Sequence, residues 1–324
     1  MRDWGEYLRS WLPVNALERG VPLSQKTTFR IGGPARWCVT LHTPDDVIRM
    51  VRECHQEGLP WFLLGGGSNV LFSDRGFDGV VIINQIMGIK EHSNGLVEAG
   101  AGVDLMDLVR FAEARGLAGF EPLAGIPGSV GGALTGNAGA YGRNIGELVE
   151  SVDLVTANGD VQRVTPGNLE FDYRESRLKR CQDVILSARF RLVTGDQERI
   201  SGTIHETLAL RAEKHPPHDA ATAGSFFKNL PPEIPGGRRI AAGLILDQAG
   251  ARGLSVGDAY VFEKHANIVV NRGRAKAREV IELTGKMKQL AYSHAGVILE
   301  EEVRRIGFTQ EELGLTQSGS LAAV

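Results

Sequence analysis

An α+β fold with much antiparallel strand is what this sequence predicts, and three features predict it. Residues 184–193 alternate: Val184, Leu186, Ala188, Phe190 and Leu192 share one face, and Ser187, Arg189 and Arg191 share the other. Asn158-Gly159 separates two β-rich runs, 152–155 and 161–164, which marks a hairpin. Helical stretches with capping residues lie between the strand-like runs, yet the dinucleotide fingerprint of a doubly wound sheet is missing. At 324 residues the chain has room for two or three domains.

Taken in order, residues 27–33 set Phe29 and Ile31 on either side of Arg30, before a double glycine. A helix follows, with Thr43 as cap, Pro44 in the first turn and Asp46 completing a capping-box pattern. Val47, Ile48, Met50, Val51 and Cys54 form its buried side, and Gly58 stops it. Residues 61–64 and 78–83 read as buried strands, and 97–102 lead into a helix over 104–115 closed by Gly116. Later helices are predicted over 204–213, 240–249 and 275–292, with a strand at 268–270. The last strand is predicted over 297–306. There Glu300 and Glu302 share a face with Ile298 and Ile306, and Glu301 shares one with Val297, Leu299 and Val303. A carboxylate inside an apolar strand must be paired or hold a proton. Alternation does not choose between Glu301 and Glu302, and a solvated acidic edge fits equally well.

Composition narrows the function. Hydrophobic content of 42% and charge of 23% are those of a soluble globular enzyme. A net charge of −3 with no basic block argues against bulk nucleic-acid binding, so any phosphate site is local and geometric. Cys38, Cys54 and Cys181 are far apart and no CxxC occurs, so neither a metal site nor a disulfide framework is expected. No apolar run reaches the roughly 18 residues of a membrane span, and the first residues lack a signal-type core; a cytoplasmic location is expected.

Four motifs invite chemistry. Gly65, Gly66, Gly67, Ser68 and Asn69 follow a strand directly, where successive N–H groups suit an anion; a strand-end turn is the alternative, but three consecutive glycines exceed what a plain turn needs. GxGxxG fails at Val70, and no Gly-Lys-Ser/Thr follows, so this is neither a Rossmann site nor a Walker loop. Residues 119–142, GFEPLAGIPGSVGGALTGNAGAYG, hold eight glycines among apolar residues and almost no charge. They suit either a flat cofactor or a set of tight turns. Tyr173-Arg174-Glu175-Ser176-Arg177-Leu178-Lys179 is dense in cations beside a tyrosine; an arginine fork there suits a carboxylate or phosphate, but composition alone favours a solvated basic loop. Gly224-Ser225-Phe226-Phe227-Lys228-Asn229 holds a serine between a glycine and two aromatics, without GxSxG, as a positioned donor or a turn cap.

The ordered set TTFRIGGPA, LGGGSNVLF, the glycine-rich stretch, YRESRLK, KHPP, GSFFKN, EKHANIVVN and LEEEVRRIG resembles the UDP-N-acetylenolpyruvoylglucosamine reductases, over residues 21 to 307. The resemblance implies a two-part FAD-binding region of the vanillyl-alcohol-oxidase (PCMH) kind at 1–83 and 84–202. A C-terminal α/β substrate domain follows at 203–307, and then a tail at 308–324. It implies non-covalent FAD, NADPH as hydride donor and UDP-N-acetylglucosamine enolpyruvate as substrate. Arg174, Ser225 as proton donor and Glu302 as acid fall at catalytic positions. Gly65–Asn69 fall at the pyrophosphate loop. Gly125, Ile126, Pro127, Gly128, Ser129, Gly132, Asn137, Ala138 and Gly139 line the flavin, and Thr28, Arg30 and Gly32 lie at a first flavin-contacting strand. Tyr173, Lys214, Asn229 and Lys264 fall at substrate-contacting positions. Two departures stand out: Leu230 replaces a common proline, and the run from Lys179 to Val193 is short for a tyrosine-bearing lid. Another FAD-dependent oxidase and a catalytically silent nucleotide-sugar binder are the competing readings.

Overall fold

The computed structural model describes residues 4–313 apart from Pro235. These fold as two compact units, one of residues 4–19, 37–66 and 79–213, the other of residues 20–36, 67–78 and 214–313. The expected boundary at 202/203 falls inside the helix Gln197–Lys214, and the division between units comes at its end. None of the described helices is long and apolar enough to cross a membrane.

Two larger sheets are built mainly from residues of the first unit. One is antiparallel, in the order Val161–Val164, Val149–Val155, Val184–Arg191, Leu96–Gly100, Ile89–Glu91. The Asn-Gly signal is met by the pairing of Val155 with Val161 across a five-residue loop, 156–160. The helices Leu105–Glu113 and Val130–Thr135 pack with this sheet around Phe120 and Phe190, whose rings meet edge to face at 5.2 Å. Asp104 caps the first of these helices by accepting the Met106 N–H at 2.8 Å. The other sheet runs in the order Leu17–Pro22, Pro34–Leu41, Phe77–Asn84, Trp61–Leu64, with its last pair parallel. Against it packs the helix Pro44–Gln56, capped by Thr43 and buried through Val47, Met50, Val51 and Cys54 as the sequence implies. Burial pushes the Cys54 thiol up to about 12, which leaves it inert filler.

One strand serves both cores, and this corrects the single face expected for residues 184–193. Asp153 pairs with Ser187, but Leu154 pairs with Ile185, so Leu186 is an extra residue opposite the partner strand. A one-residue insertion reverses the side-chain alternation beyond it. Ile185, Ala188, Phe190 and Leu192 therefore enter the Phe120 core, while Val184 and Leu186 enter the core under the Pro44–Gln56 helix.

The second unit is built on an antiparallel sheet in the order Ala221–Ser225, Ile268–Asn271, Ala259–Val261, Ser255–Val256. The helices Ala242–Gln248 and Ala277–Ala295 cover it, the longer one ending at Gly296 with φ +66°. Val70–Phe72 and Arg304–Ile306 form a separate parallel pair. Two expectations are corrected in this unit. Residues 297–306 are not one strand: a single bridge joins Glu301 to Phe227, and only Arg304–Ile306 forms a ladder, with a different partner. Thr28, Arg30 and Gly32 do not lie on a strand: Arg30 at φ +54° and Gly32 at φ +141° bend the chain into a turn that still buries Phe29 and Ile31.

Deleting Leu186 should be far more damaging than truncating it. Leu186→Ala is expected to cost about 2–5 kcal/mol. The deletion would turn Val184 and Ile185 onto the wrong faces and should abolish the cooperative urea transition.

Candidate active site

Within the first unit, the strand Trp61–Leu64 delivers Gly65 and Gly66 onto Gly128 and Ser129. A Cβ placed on Gly66 would stand 2.8 Å from the Gly128 Cα, and one on Gly65 would strike the Ser129 hydroxyl. Gly66 and Gly128 thus meet backbone to backbone, while Gly65 lies against the Ser129 hydroxyl. The second stretch is held firmly. Leu105 N–H donates to the Gly128 carbonyl at 2.9 Å, Val130 N–H to Val103 at 2.8 Å, and Gly131 N–H to Ala101 at 2.9 Å. Ser129 caps the Val130–Thr135 helix by accepting the Gly132 N–H at 3.3 Å. Ile126 packs on the core, Pro127 is exposed, and Ala138 and Gly139 continue into a short pair with Arg143–Asn144. Closely packed backbone with few bulky side chains lets a flat ring and its phosphates approach, so the residues present fit FAD.

Asn137 also has a structural task. Its side chain accepts the Gly146 N–H at 3.1 Å and donates to the Asp172 carbonyl at 2.8 Å. That second bond anchors the turn bearing Tyr173 and Arg174. Asp172 and Glu175 exchange both backbone bonds, at 3.0 and 3.1 Å, leaving Tyr173 and Arg174 at the tip. Arg174 takes φ +55°, a left-handed conformation that costs a residue with a Cβ about 1–2 kcal/mol. Lys179 Nζ donates to its carbonyl, Ser176 is fully buried and donates to the Thr135 carbonyl at 2.7 Å, and the Arg174 guanidinium lies 5.7 Å over the Tyr173 ring. Strain retained by such support is characteristic of functional positions.

Sequence reasoning missed Arg211. It sits on the Gln197–Lys214 helix, with its Nε 3.2 Å from where a Cβ of Gly125 would stand. Burial pushes its pKa below the usual arginine range; Arg174 adds to that effect and Tyr141 opposes it. A second guanidinium therefore stands by the glycine stretch. No periodicity marks it, because the helix is polar along most of its length.

In the second unit Gly67, at φ +65°, lies against the Lys26–Thr27 backbone and accepts the Thr28 N–H at 3.1 Å. Thr28 Oγ1 donates to the Thr222 carbonyl at 2.7 Å and Arg30 to the Asp219 carbonyl at 2.9 Å, which ties that turn to the segment leading to Ser225. Ser68 and Asn69 follow, half-buried. Ser225 ends the strand Ala221–Ser225 after a bulge at Gly224. The next residues are pinned: Phe226 and Phe227 N–H donate to the Asn267 carbonyl and Oδ1 at 2.7 and 2.9 Å. The Glu302 N–H donates to the Phe226 carbonyl at 2.8 Å, bringing the serine and glutamate segments side by side. Glu301 is engaged elsewhere, in ion pairs with Lys288 at 2.6 Å and with Arg305. Asn229 Oδ1 accepts the Ala242 N–H at 3.2 Å, a role at the start of the Ala242–Gln248 helix. Lys214 and Lys264 are exposed. Beside them His265 Nδ1 accepts the Asn267 N–H at 3.3 Å, and its ring lies 5.4 Å from that of His215.

Two measurements follow from this geometry. Arg174→Ala and Arg174→Gly both remove the guanidinium, but only glycine relieves the left-handed backbone, so Arg174→Gly should be the more stable by about 1 kcal/mol in urea. His265 has its pKa lowered mainly by burial, with Arg252 and Lys214 adding. Its folded value lies below the unfolded one, so the unfolded chain takes up the extra proton as pH falls through about 6.5. Stability should fall over that window, and His265→Gln should flatten the decline in thermal melts.

The comparisons with known proteins agree with this geometry. Residues 35–165 match the model of an FAD binding domain, and residues 215–306 match that of the UDP-N-acetylenolpyruvoylglucosamine reductase C-terminal domain. The UDP-N-acetylenolpyruvoylglucosamine reductase of Heliobacterium modesticaldum is 37% identical over 287 residues, 88% of this chain and 89% of that protein. The reductase of Pelobacter propionicus is 39% identical over 287 residues, 88% and 94% of the two chains. The solved UDP-N-acetylenolpyruvylglucosamine reductase of Thermus caldophilus superposes with a TM-score of 0.75 at 33% identity, over 89% of this chain and 98% of that one. An FAD-binding region joined to a reductase-type C-terminal domain, in a chain so widely matched, places this protein in the UDP-N-acetylenolpyruvoylglucosamine reductase family as an FAD-dependent oxidoreductase.

Proposed function

We propose that this chain reduces UDP-N-acetylglucosamine enolpyruvate to UDP-N-acetylmuramate with NADPH, in peptidoglycan precursor synthesis. The observation that carries this reading is the match to reductases of that name over nearly nine-tenths of the chain. When bound, FAD supplies hydride transfer from NADPH to the terminal carbon of the substrate's vinyl group.

The protein's residues then act on the charge and the proton. Hydride addition leaves negative charge on the adjacent carbon and in its carboxylate. Arg174 holds that carboxylate with a planar fork and stabilises the growing charge. The strained turn under Arg174 supports the role, since its backbone is fixed before substrate arrives. Ser225 delivers the proton that completes the saturated carbon. Glu302 in its protonated form donates a hydrogen bond to the developing enolate-like oxygen. The two ion pairs of Glu301 support this choice between neighbours, because they commit Glu301 to structure. Gly65–Asn69 grip the pyrophosphate and Gly125–Gly139 form the flavin's bed. Tyr173, Lys214, Asn229 and Lys264 contact the nucleotide sugar.

Absorbance separates this reading from its rivals. Purified protein should be yellow, bleach with NADPH without oxygen, and regain colour anaerobically on addition of the enolpyruvyl sugar. Another oxidase of the superfamily would recover colour only with oxygen, and a silent binder would never bleach. Ser225→Ala should leave flavin reduction by NADPH nearly intact and slow the second half-reaction by about 10²-fold or more. Equal loss in both half-reactions in stopped-flow would remove the proton-donor role.

A further inference from the structure

We infer that Asn69 is a positioning residue for Glu302, an inference that rests on the proposed reading of Glu302 as the acid. Asn69 ends the glycine loop, where a phosphate contact is the simple expectation. Its side chain instead donates from Nδ2 to the Glu302 carbonyl at 3.2 Å. Its own carbonyl accepts the Arg304 N–H at 3.1 Å. The two bonds bracket Val303, which is buried in the core of the second unit.

The register explains why this residue meets that one. Val70–Phe72 runs parallel to Arg304–Ile306, with Val70 opposite Arg304 and Phe72 opposite Ile306. The last residue of the glycine loop and the glutamate segment therefore leave the same end of one ladder, side by side. A ladder of two three-residue strands is weak by itself, so the bonds at its end matter to where it starts. On its other side Glu302 is held by its N–H to the Phe226 carbonyl, and Lys228 N–H donates to the Glu300 carbonyl at 2.8 Å. Both main-chain groups of Glu302 are thus taken, one by the segment after Ser225 and the other by Asn69. With its backbone fixed at two points, Glu302 presents its carboxyl from a set position in the segment. Removing the Asn69 amide frees one point and lets the acid drift; displacement of about 1 Å at a reacting centre can cost on the order of 10²-fold.

The test uses the full-length protein. Asn69→Ala removes the donor without placing a charge in the loop, and Asn69→Gln keeps an amide where alanine does not fold. In the flavin-loaded enzyme, Asn69→Ala should slow the second half-reaction by about 10- to 10²-fold. In a Glu302→Gln background the same change should have an effect under about threefold, because no acid remains to misplace. Amide hydrogen exchange gives a readout free of catalysis. Exchange at Glu302 and Arg304 should rise at least about tenfold in Asn69→Ala, with the Ala277–Ala295 helix unchanged. Unchanged exchange at Glu302 and Arg304 would show that Asn69 does not hold the segment, and equal slowing in both backgrounds would show that it does not act through Glu302. If Glu302→Gln alone leaves the second half-reaction intact, the acid reading falls, and the catalytic part of this inference with it.

Discussion

The constraint on which the glycine stretches of the first unit depend is the approach of two backbones, Gly66 against Gly128, where a single added carbon would stand 2.8 Å from the opposing Cα. Everything in the first unit that bears on the site is arranged to permit it. The parallel pair of Trp61–Leu64 with Phe77–Asn84 aims the first glycine stretch. The bonds from residues 101–105 to Gly128, Val130 and Gly131 hold the second. Beyond Gly136 the chain is tied back through Asn137 to the turn that carries Arg174. The glycines therefore do two things at once. They let the stretches touch, and they keep bulky side chains away from the place where they meet.

The second unit meets a different demand, since it must hold side chains in place. It does so with main-chain bonds. Asn267 receives both phenylalanine amides after Ser225 and returns its own amide to the Phe227 carbonyl at 2.8 Å. Glu302 is fixed through its N–H and its carbonyl, while its neighbour Glu301 is spent on two cations. In the proposed reading an acid on a segment anchored in this way is set before substrate arrives, the preorganisation that catalysis favours.

Local chemistry was legible in the sequence, and partners distant in the chain were not. Thr43 with Asp46, Asp104 and the Asn158-Gly159 hairpin act within a few residues, and each sits in the structure as its spacing implies. The faces of residues 184–193 were misread because the extra residue, Leu186, is defined only against the strand it pairs with. The single strand over 297–306 failed for a like reason: its alternation is real, but its partner changes from Phe227 to Val70–Phe72 partway along. Motif order pointed to Arg174, yet its left-handed backbone depends on Asn137, Ser176 and Lys179, and no local signal reports that. Arg211 and the side chain of Asn69 were hidden in the same way, the first on a polar helix and the second within a motif that suggested a phosphate.

In the proposed reading the apposed glycine stretches are the flavin's bed. That reading is tested most directly by the flavin content of purified wild-type protein and Gly66→Ala, read from the visible absorbance against total protein. The account predicts about one flavin per wild-type chain and little or none in a folded Gly66→Ala. Full flavin occupancy in Gly66→Ala would contradict it.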